Sequence, residues 1–93
     1  MSYISDVVLV CDEEDSGRSA VMMGPAIGMK SIEENAGGGK VMQSKIFAAG
    51  VNFLDDEQLI SWFKYSEWQN EAILIVKTEE HPYRIFRSTD ATD

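Results

Sequence analysis

Residues 41–64, VMQSKIFAAGVNFLDDEQLISWFK, read as one long strand that turns directly into an amphipathic helix, and this junction limits the folds open to the chain. In an extended segment Phe47, Ala49, Val51 and Phe53 fall on one side, and Ile46, Ala48, Gly50 and Leu54 on the other. A strand apolar on both sides belongs inside a sheet, not at its edge. The small residues Ala48, Ala49 and Gly50 leave room for another element to lie close over it. The helix is expected over 55–66. Asp55 is placed to cap it, Gln58 follows three residues on, and Asp56 and Glu57 suit the positive end of the helix. Leu59, Ile60, Trp62 and Phe63 cover an arc of about 160°. Their burial is worth roughly 1.5–3 kcal/mol each before entropy is counted, which makes this helix the main lid on the sheet.

The remaining elements are weaker or shorter. DVVLVC (6–11) is a β-branched run that ends at four consecutive acids, Asp12, Glu13, Glu14 and Asp15, so a buried strand is expected to stop at the sheet's rim in a solvated turn. RSAVMM (18–23) could open a helix, but Gly24, Pro25 and Gly28 interrupt it, leaving at most a short one over about 17–28. AGGGK (36–40) is a flexible joint between two halves of one domain. EAILIVKT (71–78) is the strongest strand signal, and YRIFRS (83–88) reads as its return strand across the turn EEHP. The tail 89–93 is expected to fray. The order β, weak α, β, α, β, β predicts a single α+β domain over 1–93, with about four strands in one sheet and the helices packed on it.

Sixteen acids against eight bases give a formal charge of -8. Such a field opposes binding to nucleic-acid phosphates and to anionic membranes, and favours a basic partner. A lone Cys11 rules out an intramolecular disulfide and fits a reducing compartment. MSYISD has no basic-then-apolar leader, and no apolar run approaches the length of a bilayer span, so a cytoplasmic protein is expected.

Four groups of residues carry candidate chemistry. VVLVCDEED (7–15) resembles the first strand and acid pair of response-regulator receiver domains. That likeness implies Mg²⁺ held by carboxylates at the end of a parallel strand, but it spans nine residues, and no acceptor Asp follows a third strand. AGGGK lacks the wider spacing and the following helix of a phosphate-binding loop. Cys11 and His81 have nothing in the sequence to bring them together, and one Cys and one His are too few for a structural zinc site. No G-x-S-x-G elbow is present. Tyr65 and Trp68 remain as aromatics near acids, placed either to anchor a partner or, for Trp68, to plug the end of the sheet.

The expectation is therefore a non-catalytic acidic module without cofactor or metal, which binds a basic protein. An inhibitor of a nucleic-acid-handling partner, of the immunity or phage anti-defence type, is one such kind. The expected contact residues are Asp12, Glu13, Glu14, Asp15, Glu33, Glu34, Asp55, Asp56, Glu57, Tyr65 and Trp68. Two alternatives stay open: a small divalent-metal enzyme or regulator using the acids at 12–15, and a homo-oligomer pairing through a sheet edge.

Overall fold

The computed structural model describes residues 3–16, 28–32 and 35–89. Its elements are β1 (Ile4–Asp12), a single-turn helix α1 (Glu13–Ser16), β2 (Lys30–Ser31), β3 (Ser44–Asn52), α2 (Asp56–Tyr65), β4 (Ile73–Thr78) and β5 (Arg84–Arg87). The five strands form one sheet in the order β2-β3-β1-β4-β5, antiparallel throughout. The class is α+β, with five strands where about four were expected because residues 30–31 add a short one. The helix expected over about 17–28 lies outside the described residues except at its last position, where Gly28 is not helical.

The central strand is β1, and β3 lies beside it inside the sheet, as its two apolar sides predict, with the short β2 on its outer side. Val8 stands between Ala48 of β3 and Ile75 of β4, and β1 is paired along nearly its whole length on both sides. β3 lies inside the sheet only where β2 meets it, at Phe47 and Ala48, with one further bond from the Ile32 N–H to the Ile46 carbonyl. Of its small residues, Ala49 packs against the core, whereas Gly50 receives no close neighbour: a methyl group there would meet only the Asp6 carboxylate, at 4.0 Å.

The alternation of β1 sorts its side chains cleanly. Ser5, Val7, Leu9 and Cys11 are buried on one face, where Phe47, Ala72, Leu74 and Val76 join them beneath Leu59 and Phe63 of α2. Asp55 caps α2 by accepting from the Gln58 N–H at 3.1 Å, as its position predicts. Of the four apolar helix residues expected in the core, Leu59 and Phe63 are fully buried, while Ile60 and Trp62 are half-buried. The sheet face away from α2 is also aliphatic. There Val8, Val10, Ile46, Ala48, Ile73 and Ile75 are half-buried, and Ile85, opposite Ile75, is 61% exposed.

Candidate functional site

The strand directions place the candidate residues at two opposite ends of the sheet. Asp12 ends β1 at one end, next to the C-terminus of α2; Ile4, Thr78 and the 79–82 turn lie at the other, with the N-terminus of α2. Helix α2, ten residues long, separates the two ends by roughly 15 Å.

At the first end the four-acid block is divided. Asp12, Glu13 and Glu14 are exposed, and Glu13 pairs with Lys45 at 3.7 Å. Asp15 is fully buried, which corrects the expectation of a solvated acidic turn. Helix α1 turns its carboxylate inward to accept from the backbone N–H groups of Gln69 and Asn70, at 3.0 and 3.1 Å. Two charge-assisted bonds offset the cost of burying the charge. The Asn70 side-chain amide donates to Glu14 at 2.8 Å, so three hydrogen bonds join α1 to the loop after α2.

Trp68 sits in that loop and turns inward. Its indole N–H donates to the Phe63 carbonyl at 2.9 Å, and its ring lies edge-on to Trp62 and tilted against Phe63. It plugs the end of the core, the structural alternative weighed for it above. Tyr65 instead stands 86% exposed in the last turn of α2. An open groove of about 500 Å³ runs past Lys64, Trp68, Asn70, Glu71 and Thr89.

At the opposite end Asp55 and Glu57 are exposed, while half-buried Asp56 is bound by the Arg84 guanidinium at 2.6 Å. An open cleft of about 290 Å³ lies between them and the β4–β5 turn, lined by Asp56, Thr78, His81, Pro82 and Arg84. This end also holds three exposed apolar residues, Tyr3 (43%), Ile4 (48%) and Phe53 (79%), of which the sequence pattern had singled out only Phe53. Phe53 was expected on a strand side among core residues. The strand stops at Asn52, and Phe53 has φ = 56°, in the left-handed region. For a bulky aromatic residue that backbone costs roughly 1–2 kcal/mol. Glu33 and Glu34 lie outside the described residues.

Among the described residues no three His, Cys, Asp or Glu side chains converge as a metal site would require. The antiparallel sheet also removes the basis of the receiver-domain likeness, which needs carboxylates at the end of a parallel strand. Cys11 is buried, and its thiol is pushed up to about 11, first by burial and then by the negative charges of Asp15 and Asp12. A thiol so placed is protonated at neutral pH and is a poor nucleophile. His81 lies at the other end of the sheet, its ring edge-on to Tyr3 at 6.1 Å. The glycine loop at 36–40 is exposed, and added methyl groups at Gly37, Gly38 and Gly39 would meet nothing within 4 Å.

No helix among the described residues is long and apolar enough to cross a membrane. Compared with family models, with curated proteins and with solved structures, the chain matches none.

Proposed function

We propose that the chain is a non-catalytic acidic module that binds another protein through a basic surface of that partner. Inhibition of a nucleic-acid-handling protein, as in immunity or phage anti-defence proteins, is the form of such binding that best suits its charge. One observation carries the reading: each end of a strongly acidic molecule holds both exposed carboxylates and an exposed aromatic residue. Glu13, Glu14 and Tyr65 occupy one end, and Asp55, Glu57 and Phe53 the other. Carboxylates steer a basic surface into contact, and aromatic rings supply desolvated anchors once it arrives. Asp15 and Trp68 do not belong to this contact set. Their polar groups are turned into the fold, so they support the surface rather than form it.

The test is capture by the immobilised chain from its native source, at low salt and at about 0.5 M salt, where charge steering is largely screened. A partner held at low salt and released at high salt is expected. Reversing Glu13, Glu14 and Glu57 to lysine, which leaves the Asp55 cap of α2 in place, should abolish that capture. A complex indifferent to both changes would refute electrostatic docking.

Self-association is a second reading, favoured by the aliphatic sheet face on which Ile85 is exposed beside half-buried Ile75, Val8 and Ala48. Light scattering across a concentration series decides it, since a strict monomer excludes this reading.

A further inference from the structure

We infer that Tyr3, Ile4 and Phe53 form the docking surface for a partner protein whose contacting face carries apolar side chains among lysines and arginines. The inference rests on the protein-binding reading above and assigns that binding to one end of the sheet. Phe53 decides between the ends. Its side chain is 79% exposed, so the fold gains little from burying it, and its φ of 56° is one that glycine or asparagine adopts more easily. Stability therefore gives no reason for a phenylalanine here, whereas recognition does. Tyr65, at the other end, is equally exposed but sits in ordinary helical backbone.

Two neighbours extend the patch. The Phe53 N–H donates to the Tyr3 carbonyl at 3.4 Å, and Ile4 pairs with Asn52, so three exposed apolar residues share one corner of the sheet, with Ile4, by the alternation of β1, on the face away from α2. The charges around that corner define the partner. Asp55 and Glu57 follow Phe53 and are exposed, and exposed Glu80 lies in the adjoining turn. Glu79, also exposed, accepts from the Ile4 N–H at 2.7 Å. Of the nearby bases, Arg84 is paired with Asp56, while Lys77 keeps its charge but turns it onto the carbonyls of Thr78 and His81, so exposed acids are in excess. An apolar patch with an acidic rim repels phosphate backbones and complements a basic protein face.

The experiment titrates the ¹⁵N-labelled chain with an amphipathic peptide of alternating leucine and lysine. Amide shifts are expected to centre on Tyr3, Ile4, Phe53, Asp55 and Glu57. Phe53→Gly should weaken binding roughly fivefold or more while the melting temperature holds or rises. Tyr3→Ser, which leaves the strained backbone in place, should weaken it by a smaller factor. Shifts centred instead on Glu13, Glu14, Tyr65 and residues 66–71 would overturn this placement and leave the protein-binding reading standing. A melting temperature lowered by Phe53→Gly would also overturn it, because the ring would then serve the fold. No shift at any residue would overturn both.

Discussion

The loops at 66–71 and 36–40 are both polar connections that lead into strands, and they are built in opposite ways. The first is fixed at almost every residue. Ser66 bonds the Trp62 carbonyl through both its N–H and its hydroxyl, Trp68 reaches back to Phe63, and Gln69 and Asn70 hang on Asp15. Glu71 pairs with Arg87 at 2.9 Å, and Ala72 exchanges bonds with Ser88. The glycine loop has φ values of 100° at Gly38 and 72° at Gly39 and is exposed along its length. One loop is held by residues from distant parts of the chain; the other follows only its own torsions. The difference shows that a connection's rigidity here comes from what reaches it across the fold, since both stretches are rich in small or polar residues.

The sharpest way to break this contrast is Asp15→Ala. Losing two charge-assisted bonds to otherwise unpaired N–H groups should cost about 3–4 kcal/mol in urea unfolding. For a domain of this size each kcal/mol lowers the melting temperature by roughly 4–8 °C. Deuterium exchange at Gln69 and Asn70 should then accelerate towards the rate at Gly37. A loss below about 1 kcal/mol would mean that the loop is not held by this carboxylate.

The tied end also has an alkaline weakness. With its folded pKa raised from 9.0 to about 11, the Cys11 thiol supports the fold fully below pH 9. That support is lost as pH rises from 9 to 11, because the unfolded chain ionises first. The loss should reach about 2–3 kcal/mol at pH 11. Cys11→Ala should flatten that part of the pH profile, whatever it does to stability at pH 7. An unchanged profile would show that the thiol is not what fails.

Trp68→Ala should cost about 2 kcal/mol, through its bond to Phe63 and its packing on two aromatic rings. Calorimetric melting checks this, and a neutral result would return Trp68 to the set of surface anchors. At the other loop, Gly37→Ala should change stability by only a few tenths of a kcal/mol, or raise it slightly by restricting the unfolded chain. Gly37 lacks a positive φ and has open space where a methyl group would go, so a large destabilisation there would show contacts that this loop does not have.

What could be read from the sequence was mostly local. Asp55, Gln58 and the apolar arc of α2 lie within one short stretch, and the structure repeats their spacing directly. The β4–β5 hairpin was legible for the same reason: its turn, with Glu80 at φ = 65°, joins two adjacent runs. The misplaced features all depend on residues far away. Nothing beside Asp15 marks it as different from Asp12, because the amides it binds are those of Gln69 and Asn70. β3 is an interior strand, as its two apolar sides predict, but which strand lies at the centre is decided by the distant partners of β1. Phe53 continues the alternation of β3 on paper, and only the end of pairing at Asn52 takes it out of the sheet.

The position of β1 in the middle of the sheet has a consequence for how the molecule comes into being. It is the strand nearest the start of this chain, yet Val8 waits for Ala48, forty residues later, and for Ile75, sixty-seven later. Such distant pairings are slow to find one another. During synthesis the aliphatic heart of the protein emerges well before either flank exists, so β1 stays unpaired until first β3 and then β4 have been made.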